Sequence, residues 1–171
     1  MLDEELGDKA TRLLDLCKTK RLTVATAESC TGGLVAAALT NIAGSSEVVD
    51  RGFVTYTNEA KQQMIGVPFA IIEAFGAVSR QTAEAMAKGA LTHAPVDLAV
   101  SITGIAGPTG AAPGKPIGLV HFGAASRSGR LIHRERRYGD VGRSEVRRKS
   151  AFEAIAMLTE LAEQEAPKPV N

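Results

Sequence analysis

The chain has 171 residues, of which 44% are hydrophobic and 23% are charged, and its formal net charge is +1. This length fits one domain over residues 1–171, and so small a net charge predicts neither a nucleic-acid partner nor attachment to an anionic membrane. No segment approaches the roughly 18 consecutive apolar residues that cross a bilayer. The two cysteines have neither metal-ligand nor disulfide-framework spacing, so we expect a cytoplasmic protein without a metal or an organic cofactor.

In the first half of the chain, segments with helical periodicity alternate with β-rich segments. The predicted elements are, in chain order, a helix over 3–20, a strand over 22–27, an Ala-rich helix over 34–44, a strand over 48–56, a short helix over 59–66, a helical segment over 68–75 and a helix over 79–93. Asn58 and Ser79 are predicted to be N-caps of two of these helices, and Gly66 and Pro68 end the shorter one.

The second half predicts a buried strand, a glycine-rich loop and a hairpin. Residues 96–103 are almost continuously apolar and predict a central strand, and two more strands are predicted over 117–124 and 131–138. The turn 126–130 between the last two is short enough only for antiparallel pairing. With a final helix over 142–164, these elements predict a three-layer α/β/α domain whose sheet is mostly parallel with one antiparallel strand.

The order of strands and helices predicts where a functional site lies. In open α/β sheets, ligands bind at the carboxyl ends of the strands. Three loops are predicted to reach that edge, namely ESCTGG at 28–33, YTNEAK at 56–61 and TGIAGPTG at 103–110. We therefore expect the candidate site at the place where these three loops meet.

The ESCTGG loop has the composition of an anion site, because small polar residues and two glycines lead into a helix N-terminus. Its backbone N–H groups could hold a phosphate or an oxyanion, with Thr31, Gly32 and Gly33 as candidate substrate-binding residues. Ser29 is the candidate nucleophile, and Cys30 and Thr31 are its rivals. The alternative is structural, since Ser29 or Thr31 could cap the helix while the glycines permit close packing.

The YTNEAK loop offers a candidate base. With Asn58 as N-cap, Lys61 is predicted to be the third residue of its helix, where the macrodipole disfavours a charged amine. Burial would lower the pKa of Lys61 further, so that the neutral amine could act as a general base. Tyr56 could relay a proton or orient a ligand. The alternatives are a solvated surface lysine and a half-buried strand tyrosine.

Two further groups of residues could bind a substrate. In the TGIAGPTG loop, Thr103 offers a hydroxyl, and Gly104 and Gly107 let the backbone approach a ligand, although a tight turn accounts equally well for these glycines. Arg143 and Arg147 lie four residues apart on one face of the final helix and could clamp a phosphate. The alternative is a solvated basic face. A nucleic-acid surface is disfavoured, because no aromatic residues interleave with the basic ones.

Four segments, 23–34, 52–61, 76–90 and 99–110, together resemble the CinA C-terminal domain family of nicotinamide-nucleotide amidohydrolases. The resemblance covers nearly the whole chain in the same order, and the combination of ESCTGG with TGIAGP in one short α/β chain is highly specific. It implies a three-layer α/β/α domain with a mixed five-stranded sheet. It also implies a homodimer whose small-molecule substrate, nicotinamide mononucleotide, is hydrolysed to nicotinate mononucleotide and ammonia.

The resemblance also assigns a Ser–Tyr–Lys set to the site, and by motif these residues are Ser29, Tyr56 and Lys61. We interpret the mechanism as proton transfer from Ser29 to neutral Lys61, directly or through Tyr56, followed by attack of Ser29 on the carboxamide. The 5′-phosphate would be held by Arg143, Arg147 or the TGIAGPTG loop. A different class of protein, a non-catalytic nucleotide-binding or regulatory module, would keep the glycines and arginines but has no need of the Ser29–Lys61 pair.

The chain departs from the family pattern at several positions. Arg80 stands where the family usually has an acid, which would alter a rim contact or a subunit interface. Ala111 and Ala112 stand where more glycine is expected, so phosphate or ribose contacts in that loop are expected to differ. Longer members carry an additional N-terminal domain, and the activity of that domain is expected to be absent from these 171 residues.

Overall fold

A five-stranded β-sheet lies at the centre of the protein, whose computed structural model describes residues 3–170. The strands are β1 (Val24–Glu28), β2 (Val49–Val54), β3 (Leu98–Gly104), β4 (Leu119–Ser126) and β5 (Leu131–Arg137). The helices are α1 (Glu4–Lys20), α2 (Leu34–Thr40), α3 (Asn58–Ile65), α4 (Phe69–Phe75), α5 (Arg80–His93) and α6 (Arg143–Gln164). Within this described range, none of the helices combines the length and the apolar character that a membrane span requires.

The strands are ordered β2-β1-β3-β4-β5 across the sheet. β1 pairs in parallel with β2 and β3, whereas β4 runs antiparallel to both β3 and β5. β4 is therefore the strand that opposes the other four in direction, which confirms the predicted mixed, mostly parallel sheet. The hydrogen bond from the Ser126 N–H to the Arg130 carbonyl closes the predicted hairpin turn between β4 and β5.

Helices cover both faces of the sheet and make it the middle of three layers. α1, α2 and α6 pack together on one face, whereas α5 lies on the other with α3 and α4 beside it. The alternation of side chains along β3 sends Leu98, Val100 and Ile102 into the core beneath α1 and α6. On the face toward α5, the sheet contributes small residues such as Ala25, Ala27 and Ala99. A Cβ on Gly123 would lie 2.5 Å from the Ala83 carbonyl oxygen, so glycine lets the helix approach the sheet closely.

Element boundaries follow the sequence predictions with one clear error. The observed strands begin and end within two residues of the predicted ones. The second helix, however, ends at Thr40 rather than at residue 44. The chain leaves the helix after its C-cap, Asn41, and forms a single 3₁₀ turn over Ser45–Glu47. Gly44 precedes this turn with a left-handed φ of 78°, which ends helical geometry rather than continuing it.

Candidate active site

The three predicted loops meet in a cleft of about 340 Å³ at the carboxyl ends of β1, β2 and β3. The turn before α5 and the first residue of α6 complete its walls. The predicted site residues that line it are Ser29, Tyr56, Lys61, Thr103, Gly104, Gly107 and Arg143. The other predicted site residues, which do not contribute to its lining, are Thr31, Gly32, Gly33 and Arg147.

Glu28, the last residue of β1, is buried and caps the N-terminus of α2. One carboxylate oxygen accepts the Val35 N–H at 2.9 Å, and the other accepts the Ala36 N–H at 3.0 Å. The Thr26 hydroxyl donates a third hydrogen bond to this carboxylate at 3.3 Å. The side chain of Glu28 therefore occupies the Val35 and Ala36 N–H groups of this helix, and the anion site predicted at Thr31, Gly32 and Gly33 stays a prediction that rests on the N–H groups of the loop before α2.

Lys61 lies one residue deeper in α3 than predicted. The N-cap is Thr57 rather than Asn58, because the Thr57 hydroxyl accepts the Ala60 N–H at 3.0 Å. Lys61 is consequently the fourth residue of the helix, and its own N–H donates to the Thr57 carbonyl. The dipole effect of a helix falls off within the first turn, so it acts more weakly on Lys61 than the sequence suggested.

The side chain of Lys61 is buried and ends beside Ser29. It is 1% exposed, and its Nζ lies 3.0 Å from the Ser29 Oγ. The same nitrogen lies 2.9 Å from the Thr55 carbonyl oxygen and 3.3 Å from the Tyr56 carbonyl oxygen. Burial without a carboxylate partner among residues 3–170 lowers the pKa of Lys61 from its ordinary 10.5 to about 8. A solvated surface lysine, the structural alternative, is excluded by this burial.

The three oxygens around the Lys61 Nζ can each accept one N–H of the ammonium form, in which Lys61 donates to the Ser29 hydroxyl. A neutral amine has two N–H groups and one lone pair, whereas backbone carbonyls can only accept hydrogen bonds. Once Lys61 has lost a proton, the Thr55 and Tyr56 carbonyls take the two N–H groups, which leaves the lone pair for the hydroxyl of Ser29. In this arrangement Ser29 donates to Lys61, which is the geometry that a general base requires.

The two rival nucleophiles of the ESCTGG loop lie in less reactive surroundings. Burial raises the pKa of the Cys30 thiol to about 12, which suppresses the reactive thiolate. Thr31 is fully buried, and its hydroxyl has no hydrogen-bond partner within the described part of the chain. Ser29 is the hydroxyl of this loop that both lines the cleft and contacts the lysine.

Tyr56 lies at the mouth of the cleft rather than between Ser29 and Lys61. Tyr56 is 56% exposed, and its hydroxyl accepts a hydrogen bond from the Arg143 Nη2 at 3.0 Å. Its backbone carbonyl, not its phenol, is the part of the residue that contacts Lys61. The structure thus brings Ser29 and Lys61 together directly and directs the phenol of Tyr56 toward Arg143.

Arg143 and Arg147 diverge although they lie one turn apart on α6. Arg143 lines the cleft and donates to the Gly107 carbonyl at 3.0 Å. Arg147 instead donates to the Cys30 carbonyl at 3.2 Å and to the Thr31 carbonyl at 3.1 Å. The predicted clamp of both arginines on one phosphate is therefore not formed, because carbonyl groups of two different loops hold the guanidinium groups in separate places.

The end of β3 forms another part of the cleft wall. The Thr103 hydroxyl donates to the Ala77 carbonyl at 2.7 Å and so ties β3 to the turn before α5. Gly104 lies so close to β4 that an added Cβ would be 2.7 Å from the Val120 side chain and 2.9 Å from the Leu119 carbonyl oxygen. Glycine is required at position 104 because the chain packs closely against β4, and not because the chain bends there.

Sequence reasoning missed two residues at this site. Asn58, predicted only as a cap, is the first residue of α3 and lines the cleft. Glu28 was not assigned a role, although the sequence carries a signal for it. The N-cap position of α2 is Gly33, which has no side chain, so another residue must satisfy the first N–H groups of that helix. A carboxylate a few residues upstream is the natural candidate.

The family departures lie outside the cleft wall. Arg80 forms an exposed i,i+4 ion pair with Glu84 at 2.9 Å on α5. Ala111 and Ala112 are exposed, whereas the adjacent Gly110 lines the cleft. The structure therefore places these three substitutions at the surface, beyond the residues that surround Ser29.

A model of the CinA C-terminal domain family matches residues 7–162. The chain is 48% identical over 159 residues to the nicotinamide-nucleotide amidohydrolase PncC of Escherichia coli K12, covering 92% of this chain and 95% of that protein. It is 50% identical over 135 residues, 79% of its length, to a CinA-like protein of Anaeromyxobacter dehalogenans, of which it spans only 33%. The crystal structure of the competence/damage inducible protein CihA from Agrobacterium tumefaciens superposes with a TM-score of 0.92 at 52% identity, covering 94% of this chain and 98% of that one.

Proposed function

The chain belongs to the CinA C-terminal domain family, and we propose that it hydrolyses the carboxamide of nicotinamide mononucleotide to give nicotinate mononucleotide and ammonia. One observation supports this activity above the others. A buried lysine amine with a lowered pKa lies 3.0 Å from a serine hydroxyl in an open cleft. Relatives that are 48% identical over most of the chain are named nicotinamide-nucleotide amidohydrolase.

The proposed reaction is serine-based amide hydrolysis in two stages. Neutral Lys61 takes the proton of Ser29 as the serine oxygen bonds to the carboxamide carbon, and the lysine then returns that proton to the departing ammonia. The product of this stage is a nicotinoyl ester of Ser29. In the second stage Lys61 takes a proton from water, the hydroxide oxygen bonds to the ester carbon, and the proton returns to Ser29 as the acid leaves.

Backbone N–H groups stabilise the oxyanion of each tetrahedral intermediate in this proposal. The first N–H groups of α2 cannot serve, because the Glu28 carboxylate accepts them. The donors are therefore sought in the loop residues that precede α2 and in Gly104, Ala106 and Gly107, which also line the cleft. A neutral substrate amide suits this site, since it brings no charge that would need a buried partner.

The phosphate of the mononucleotide is assigned to Arg143 in this proposal. Arg143 is exposed, lines the cleft mouth and is held by the Gly107 carbonyl and the Tyr56 hydroxyl, both of which are neutral. Its charge is thus not offset by a carboxylate and remains available to an anion. The remaining space is bordered by Tyr56, Thr103, Gly104 and Gly107. No organic cofactor or metal takes part in the proposed chemistry.

A non-catalytic nucleotide-binding module is the second candidate. Such a protein would use the glycines and Arg143 in the same way. It would gain nothing from a lysine with a lowered pKa against a serine hydroxyl, because burying an amine without a carboxylate partner costs stability and is useful mainly where the amine reacts. The geometry therefore favours the enzyme.

Ammonia release from nicotinamide mononucleotide by the purified chain tests the proposal, with nicotinate mononucleotide measured by chromatography. Ser29→Ala is expected to lower kcat by at least about 1000-fold, because the nucleophile is lost, while circular dichroism stays unchanged. Ser144→Ala changes an exposed serine of α6 and is the matched control. Turnover of Ser29→Ala above about a tenth of the wild-type rate would exclude Ser29 as nucleophile.

The same assay tests metal independence. EDTA is expected to leave the rate unchanged, because the described residues contain no group of three or more His, Cys, Asp or Glu side chains that could hold a metal ion. Loss of activity in EDTA that a divalent cation restores would contradict the proposed mechanism.

The assignment of Arg143 is tested with two substrates. Arg143→Ala is expected to raise KM for the mononucleotide about 10- to 150-fold, the loss that follows removal of a charge-assisted hydrogen bond. The corresponding riboside, which has no phosphate, should be affected far less. Equal changes for both substrates would place the phosphate elsewhere.

The proposed state of the enzyme is a cytoplasmic homodimer. The family resemblance implies the dimer, and exposed apolar side chains on α4 offer a surface for it, since Phe69 and Phe75 are 59% and 47% exposed. Both free cysteines are buried and unpaired, as is usual in reducing compartments. Analytical ultracentrifugation at micromolar concentration tests the dimer, and a single species with the mass of one chain would contradict it.

A further inference from the structure

The loop that carries Ser29 is held from outside the cleft by α6. Residues 29–32 form a turn in which the Gly32 N–H donates to the Ser29 carbonyl at 3.0 Å. Arg147 donates from Nε to the Cys30 carbonyl and from Nη2 to the Thr31 carbonyl. A Cβ on Gly32 would lie 3.6 Å from Nη2, so the guanidinium rests directly against this turn.

These contacts fix the direction of two peptide groups after the nucleophile. In a trans peptide the C=O and N–H point in opposite directions. Because the Cys30 and Thr31 carbonyls face Arg147, the N–H groups of Thr31 and Gly32 must face away from it. The Gly32 N–H is the one that closes the turn on Ser29, so the guanidinium supports the hydrogen bond that shapes the nucleophile's own backbone.

Resting on the proposed function, we propose that Arg147 is a positioning residue for the reaction rather than a phosphate ligand. It orients and polarises the two peptide groups that follow Ser29, and it thereby holds the serine hydroxyl against Lys61 while the substrate carboxamide is attacked. Arg143, one helical turn earlier, lines the cleft and is left to bind the substrate. Of these two arginines of α6, Arg147 thus affects the rate of the chemical step and Arg143 affects the affinity for the substrate.

Steady-state kinetics separate these roles. Arg147→Ala is expected to lower kcat about 10- to 100-fold, the scale on which misplacement of a reacting group acts. KM for the mononucleotide should stay within about threefold of wild type, and the loss should be equal for the riboside without phosphate. Arg147→Lys keeps the charge but can reach one carbonyl, so an intermediate kcat is expected.

Two further readouts distinguish positioning from general damage to the fold. The pH at which kcat/KM reaches half of its plateau should be the same in Arg147→Ala as in wild type, because Lys61 stays buried in both. Arg148→Ala is the matched control, since Arg148 is the next residue of α6 but pairs with Asp3 and Glu145 and stacks on Phe152. Its kcat should equal that of wild type.

A fluorophosphonate probe reads the loop without any nicotinamide substrate. The Ser29 oxygen bonds to phosphorus, fluoride leaves, and Lys61 takes the serine proton, so the labelling rate followed by mass spectrometry reports the position of Ser29. Slower labelling of Arg147→Ala than of Arg148→Ala supports the proposal even if the wild-type enzyme proved inactive on the mononucleotide. Labelling at the wild-type rate, or a rise in KM confined to the phosphorylated substrate, would overturn it.

Discussion

Glu28 precedes Ser29 in the chain and Lys61 contacts the Ser29 hydroxyl, and both are 1% exposed, yet their surroundings are opposite in kind. Each carboxylate oxygen of Glu28 accepts a backbone N–H at the start of α2, where the helix carries partial positive charge. Among the residues that the structure describes, the amine of Lys61 contacts only neutral oxygens, two carbonyls and one hydroxyl. The carboxylate of Glu28 therefore has hydrogen-bond donors of matching polarity around it, whereas the amine of Lys61 has no opposite charge from residues 3–170 beside it.

This difference separates a structural role from a chemical one. A buried carboxylate whose two oxygens each accept a backbone N–H holds two elements together, so Glu28 fastens β1 to α2 and fixes the turn that carries Ser29. A buried amine without an opposite charge is driven toward its neutral form, and the neutral form is the one that can accept a proton. Burial alone is therefore a poor guide to reactivity, and the partners of the buried group decide it.

For the two residues compared here, the largest expected effect comes from keeping the charge of Lys61 and removing its basicity. Lys61→Arg should lower kcat at least about 100-fold, because a guanidinium cannot accept the Ser29 proton. Lys88→Arg makes the same change on the exposed face of α5 and should leave the rate unchanged. If Lys61→Arg kept most of its activity, only a positive charge would be needed, and the base would have to be sought in another group.

The pH dependence of the wild-type enzyme tests the same contrast without a substitution. The active form of Lys61 is the neutral one, and burial lowers its pKa to about 8, so kcat/KM should rise with pH and level off above that value. Below it the rate should fall about tenfold for each pH unit. A rate that is flat between pH 6 and pH 9 would contradict the assignment of Lys61 as base.

The smallest expected effects are on stability, and they should have opposite signs at the two residues. Glu28→Gln keeps the size of the side chain but can accept only one of the two N–H groups, so the free energy of unfolding should fall by about 1–3 kcal/mol. For a chain of this size, Tm would fall by roughly 2–12 °C. Glu59→Gln, an exposed substitution on α3, is the matched control.

Lys61→Met should instead raise the free energy of unfolding at pH 7. The folded-state pKa of about 8 lies below the ordinary 10.5, so the unfolded chain binds more protons between these values and the stability of the wild type rises with pH there. Below pH 8 the burial penalty is fully present, and methionine removes it. Thermal unfolding measures the stability of Glu28→Gln and of Lys61→Met. If Lys61→Met were less stable than wild type, the three hydrogen bonds of Lys61 would stabilise the fold by more than its burial costs.

Much of the fold followed from local patterns. The segment 22–27 predicted β1 as a buried strand, an almost continuously apolar run predicted β3, and a short turn predicted the antiparallel pairing of β4 with β5. The ends of elements were predicted less accurately where the sequence pattern does not change at the end. The Ala-rich segment of α2 continues to favour helix past Thr40, and Gly44, which fits the end of a longer helix, instead precedes the separate 3₁₀ turn.

The candidate site was predicted as a set of loops, but the roles within it required contacts. Ser29 and Lys61 lie 32 residues apart in the chain, and their proximity follows from two loops at one sheet edge. The direction of Arg147 had no local signal, since its spacing from Arg143 fits a phosphate clamp equally well. Its partner Cys30 lies 117 residues away, and only packing of α6 against the ESCTGG loop brings them together.

The sequence by itself determined the order of the elements, the sheet edge that bears the site and the residue types available there, because periodicity, turns and loop composition are local properties of the chain. Only the tertiary structure decided which charge is matched and which is not. Glu28 meets N–H groups across a turn, and Lys61 meets carbonyls and a serine from another loop. Desolvation depends on everything that surrounds a group, so the lowered pKa of Lys61 is a property of the assembled fold.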